Sequence, residues 1–202
     1  MKIFCIVSAM IFTATQVVDG QNRSTPGQPL PSKGTLHVSQ EHIEVPPTTL
    51  EGLVKGSATV VDGVIQSITP RVRVDDSETG KWTIISDFIV KVDRVVRGKA
   101  IGGRIMFHRL GGSVGDRKML DMEDDAELKV GDRVFLFLSQ LESPSPDTAV
   151  PHFKVIGRWA GRFLVGTNNT VTVHRRASEE LSTLNGVPVE RVVERIKSVR
   201  AE

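Results

Sequence analysis

Through the middle of the chain apolar and polar residues alternate at a period of two, and at its end they recur at a helical period. Residues 57–68 are β-branched, with Gly63 marking a bulge or sharp bend. Residues 82–96 give the longest strand signal: Phe88, Val90 and Val92 alternate with Ile89, Lys91 and Asp93. Residues 104–110 form a further strand, closed by Gly111-Gly112. In residues 133–138 both alternating sets are apolar, Val134, Leu136 and Leu138 on one side and Phe135 and Phe137 on the other. A strand apolar on both faces belongs in the middle of a structure. Residues 152–157 and 162–165 suggest a hairpin around Trp159-Ala160-Gly161, and residues 170–174 a last short strand. Val189, Val192, Val193, Ile196 and Val199 then follow helical spacing, with Pro188 where the start of a helix tolerates proline. Residues 116–130 are polar and acidic and are expected to form a loop with a helical turn.

This inventory predicts a mainly β protein, a small antiparallel OB-like barrel with a C-terminal amphipathic helix; a β-sandwich is the alternative. Closure is favoured because exposed strand edges aggregate.

The N-terminus has a different texture. Lys2 precedes an apolar stretch over residues 3–14, and Val18-Asp19-Gly20 follows with compact residues. That is the layout of a secretory leader. The apolar stretch is shorter than the roughly 20 residues of a membrane span. Residues 1–20 are therefore expected to be a signal peptide, and the mature chain to be secreted or periplasmic, without a transmembrane span. Residues 21–52, punctuated by Pro26, Pro29, Pro31, Pro46 and Pro47, read as a linker carrying at most a short edge strand within residues 36–45. The barrel is assigned to residues 53–176 and the helical segment to residues 177–202.

Charge adds little. The net charge of the 202 residues is +2, and the leader removes one lysine and one aspartate. So weak a balance implies neither a nucleic-acid nor a membrane partner. The single cysteine, Cys5, lies in the leader. The mature chain thus has no disulfide, thiol nucleophile or cysteine-ligated zinc.

Val64, Phe88-Ile89-Val90-Lys91-Val92, Val95-Val96-Arg97-Gly98, Gly111-Gly112, the run from Gly131 to Leu138, and Gly157 with Gly161-Arg162-Phe163 carry a resemblance. In these residues the chain resembles an uncharacterised group of exported bacterial β-barrel proteins. More distantly, its opening strands are similar to netrin-like domains of the tissue metalloproteinase inhibitor kind. The resemblance covers about residues 57–173. It implies an OB fold. It does not imply protease inhibition, because that family depends on cysteines, including one at its mature N-terminus.

Several residues suggest chemistry. Gly111-Gly112-Ser113-Val114-Gly115 matches G-x-S-x-G, with His152 and His174 downstream. The motif raises a serine hydroxyl only on a strand-to-helix turn, and no helical pattern follows. A glycine-rich turn is the simpler reading, and Ser113 stands as the one catalytic candidate. Asp121, Glu123 and Asp125, with Asp124 and Glu127, offer oxygens for calcium. The sixth position from Asp121 is Ala126, where such a loop requires glycine, so a solvated acidic loop is expected. His37, His42, His108, His152 and His174 show no tight ligand spacing, and no cofactor is expected. Lys91, Arg94, Arg97, Lys99, Arg104 and Arg109, near Trp82, Phe88 and Phe107, have the composition of a single-strand nucleic-acid platform. Phe88 lies on the apolar set, which argues against it. Asn22-Arg23-Ser24 and Asn168-Asn169-Thr170 are glycosylation acceptor sequences. The expectation is an exported, non-catalytic barrel that binds a protein, peptide or envelope component. A serine hydrolase using Ser113 and an OB-type nucleic-acid binder are the alternatives.

Overall fold

The structure, a computed structural model, describes residues 34–38, 45–76, 81–99, 102–121, 128–140 and 150–200. The expected leader, Asn22, His42, Glu123 and Asp125 lie outside the described residues, as does most of the stretch read as linker.

The long strands β2 (Thr59–Asp76) and β3 (Lys81–Gly98) form an antiparallel hairpin that bends on four register shifts, one of them between Asp62 and Gly63. At Gly63 the two strands approach so closely that a Cβ would stand 2.3 Å from the Lys91 carbonyl oxygen. No other residue fits there. β3 pairs antiparallel with β4 (Arg104–Leu110), and β2 pairs antiparallel with β7 (Arg133–Gln140). β8 (His152–Val155) closes the ring, antiparallel to β7 and parallel to β4. The five strands run β7–β2–β3–β4–β8 and back to β7. This is an OB-like barrel, antiparallel except at the β4–β8 joint, and closure rules out the sandwich.

β7 has the central position that its two apolar faces predict. Val134, Leu136 and Leu138 fill the barrel with Val61, Ile65, Phe88, Val90, Ile105, Phe107 and Phe153. Phe135 and Phe137 face outward, beneath α1 (Leu50–Gly56) and α3 (Val189–Ser198). Val189, Val192, Val193 and Ile196 of α3 are buried there, and Phe137 meets Phe163 edge to face at 5.2 Å. Each such aliphatic side chain contributes about 1.5–3 kcal/mol.

Three expectations change. First, residues 152–165 are not a hairpin. β8 and β9 (Arg162–Val165) do not pair with each other; both pair with the same edge of β7, on either side of Phe137. The 156–161 turn loops out between them, and the Phe137 N–H donates to the Gly161 carbonyl while the Phe137 carbonyl accepts from the Ile156 N–H. β10 (Val171–Val173) then extends the sheet from β9. Second, the polar stretch after Ser113 is not all loop. β5 (Gly112–Val114) turns through Gly115-Asp116 into β6 (Arg117–Asp121), which also pairs parallel with β1 (Gly34–Val38). Gly-Asp is a two-residue hairpin signal, obscured here because few residues of β6 are apolar. Third, α1 begins inside the stretch read as linker. Thr49 caps it by accepting from the Gly52 N–H at 2.9 Å, and Leu50, Leu53 and Val54 are buried. A short helix α2 (Glu179–Ser182) precedes α3.

Candidate functional site

Strand pleating assigns the faces. Phe88 of β3 and Phe107 of β4 are register partners that point into the barrel and stack at 4.8 Å. Their chain neighbours Asp87 and His108, also register partners, therefore face outward. Thr69 of β2 lies opposite Asp87, Arg71 opposite Ile85, and His152 of β8 opposite Met106. Four chemically active side chains from four strands thus share the outer β2–β3–β4–β8 face.

They are joined. One Asp87 carboxylate oxygen lies 2.7 Å from His108 Nδ1, and the other accepts from Arg71 Nε at 3.0 Å. Because a carboxylate accepts, His108 Nδ1 is the donor of this bond. The His108 ring stands edge-on to the His152 ring at 5.1 Å. Asp87 and His108 are partly open to solvent, with side chains 19% and 29% exposed, and His152 is buried. Burial holds the His152 pKa below the ordinary imidazole value; the nearby His108 and Arg71 charges act in the same direction, and Asp87 opposes them. Buried Ile85 and Met106 and half-buried Ile89 and Leu110 occupy the same outer face. The arrangement brings an imidazole, a guanidinium and a carboxylate together at the surface, beside half-buried Ile89 and Leu110.

A second polar cluster lies elsewhere on the barrel wall. Asp62 of β2 is buried, its side chain 2% exposed. Arg133 clamps it with two bonds, Nε to Oδ1 at 2.9 Å and Nη2 to Oδ2 at 2.6 Å, and Arg94 Nη2 adds a third at 3.1 Å. Arg94 Nη1 reaches both oxygens of Glu190 on α3 at 3.0 Å, and Arg133 Nη1 donates to Asn169 Oδ1 at 2.8 Å. These bonds raise both guanidinium pKa values, Arg94 chiefly through Glu190 and Arg133 chiefly through Asp62. The cluster ties three strands to the C-terminal helix.

The remaining candidates are scattered. Ser113 is exposed on β5, in a hairpin that continues into a strand, and among the described residues no histidine hydrogen-bonds it. Asp121 ends β6, and among the described residues no group of His, Cys, Asp or Glu is placed to hold a metal ion. His174 is buried, stacked on Trp159 at 5.2 Å, and accepts from the Arg176 N–H. His37 belongs to β1. Of the basic set, Arg94 is engaged as described, Lys91 pairs with Asp93, and Arg97 donates to the carbonyls of Ile196 and Val199 at the end of α3. Lys99 and Arg104 are exposed and Arg109 is half-buried. Phe88 and Phe107 stack on each other inside the barrel, and Trp82 lies under the Arg117 guanidinium. Asn168 is exposed in the turn between β9 and β10, its Oδ1 accepting from the Thr170 hydroxyl. Among the described residues, no helix is long and apolar enough to cross a membrane.

His108 and His152 fall in segments whose alternation predicts strands, whereas the polar composition of residues 69–81 predicts a connection; β2 instead runs on to Asp76 and carries Arg71. The inward parity of Phe88 was a usable signal that Asp87 faces out. Pairing it with His108 required the β3–β4 register. No protein-family model matches the chain, and no curated protein does either.

Proposed function

We propose that this protein is an exported, non-catalytic binding module that takes its ligand on the outer face of β3–β4. A protein, peptide or envelope component is the expected ligand class. The observation that carries the reading is the outward cluster of Arg71, Asp87, His108 and His152 beside half-buried Ile89 and Leu110. It is centred on β3 and β4, the second and third barrel strands in chain order, the face through which OB barrels engage ligands. Export rests on the leader-like residues 1–20. Kinship with the exported bacterial barrel group, and more distantly with netrin-like domains, is part of the same proposal and rests on the strand and turn residues that carry the resemblance.

The test is site-directed photo-cross-linking of the chain expressed with its own leader. A probe at Thr69, exposed beside Asp87, is expected to give a specific adduct that Arg71→Glu abolishes. A probe at Thr172, exposed on β10, is expected to give none. Equal labelling from both positions, an uncleaved cytosolic product, or turnover that disappears in Ser113→Ala would overturn the reading.

A further inference from the structure

Among the described residues the shortest ladder of the barrel ring is the one between β8 and β4: two register pairs, Met106 with His152 and Phe107 with Phe153, supplemented by the Met106 N–H donating to the Pro151 carbonyl at 2.9 Å. The opposite edge of β8 is better held. It pairs with β7 through Leu138, Ser139 and Gln140, and the Ile156 N–H continues the ladder to the Phe137 carbonyl. A buried histidine therefore stands at the shortest described ladder of the ring, edge-on to a second histidine on the facing strand.

We propose that His152, with His108 facing it, forms an acid-operated latch: in mildly acidic surroundings the His152 imidazole takes up a proton as the β4–β8 joint loosens, β8 stays on β7, and the binding face is remodelled. The regulatory part rests on the reading of that face as the ligand site.

Charged groups from three strands bear on His152: His108 from β4, Asp87 from β3 and Arg71 from β2. His108 and Arg71 oppose a proton on His152. Asp87 favours that proton, but its two oxygens are already engaged by His108 and Arg71. Two protonated rings would stand 5.1 Å apart in a partly dry setting, where like charges repel far more than in water. Burial is the larger cost to His152. Opening the joint relieves both by letting water reach the imidazole. The direction follows. The closed state binds a proton at His152 less readily than an open state with the ordinary value of 6.5. As pH falls below that value the open state gains protons first, and the closed joint loses stability until the lowered closed-state value is passed.

Native-state amide exchange tests this on the full chain. Protection of the Met106 amide, corrected for intrinsic exchange, is compared with that of Ile156 between about pH 7.5 and about pH 5, the span in which histidine changes charge. One proton linked to opening lowers Met106 protection by up to about tenfold per pH unit, and Ile156 protection holds. His152→Phe, which keeps an aromatic ring against His108, is expected to flatten the Met106 response. If that variant does not fold, His108→Gln serves instead, with a shallower fall because the facing charge is gone. A pH-independent Met106 amide in the wild type, an unchanged fall in the variants, or an equal fall at Ile156 would overturn the latch. Failure of the Thr69 cross-link with the Met106 response intact would sink the binding face and leave the latch standing. A flat Met106 response with the cross-link intact would do the reverse.

Discussion

Asp62 and Asp87 sit on adjacent strands of one barrel, both outside its core, and each is shared by two nitrogen-bearing side chains. Asp62 is buried and held by two guanidinium groups that stay charged at any working pH. Asp87 is partly open and held by one guanidinium and one imidazole. The first cluster keeps its charges near neutral pH, and it rivets β2, β3 and β7 to α3. In the second, the imidazole can gain or lose a proton, and a second imidazole waits behind it at the shortest described ladder of the ring. The difference teaches that a polar cluster becomes a candidate for function when a partner can change state and solvent can reach it. The number of ion pairs does not decide it.

The comparison can be broken most easily at Asp62. Asp62→Ala removes the buried carboxylate shared by two guanidinium groups that are themselves about a third exposed, and is expected to cost about 2 kcal/mol in urea unfolding near neutral pH. A loss below about 1 kcal/mol would show that the cluster is not a rivet. Asp87→Ala is expected to cost only about 1 kcal/mol, because Arg71 and His108 can turn to water, yet to abolish the Thr69 cross-link. Retained cross-linking would separate Asp87 from binding. Ser113→Ala, at an exposed turn, is expected to stay within about 0.5 kcal/mol of wild type.

Glu190 gives the smallest effect. Its bond to Arg94 holds its pKa below the ordinary carboxylate value of 4.5. The stabilisation is therefore complete above that value and is lost as pH falls through the lowered one. Faster amide exchange at the start of α3 in strong acid, absent in Glu190→Gln, would record it. The same response in both would place the acid sensitivity of α3 elsewhere.

Local periodicity made much of the fold legible. The two apolar faces of β7 and the spacing of Val189, Val192, Val193 and Ile196 each required one correct position in space. Joints between distant segments were not legible. Nothing in the alternation of residues 152–165 says that both halves lie along one edge of β7, because that geometry depends on a turn looping out around Phe137. The candidate site was hidden for the same reason. Asp87 and His108 are ordinary outward residues on separate strands, and only their register makes them a pair. Arg94 was visible as one of several basic positions in the central strands, but its partner Glu190 comes from the far end of the chain.

Double-mutant cycles weigh the two clusters most directly. The coupling free energy between Asp62 and Arg133 is compared with that between Asp87 and His108, both from urea unfolding near neutral pH. The account predicts about 2 kcal/mol for the first pair and below about 1 kcal/mol for the second. Equal couplings, or a larger value for Asp87 and His108, would contradict the division into a structural rivet and a responsive face.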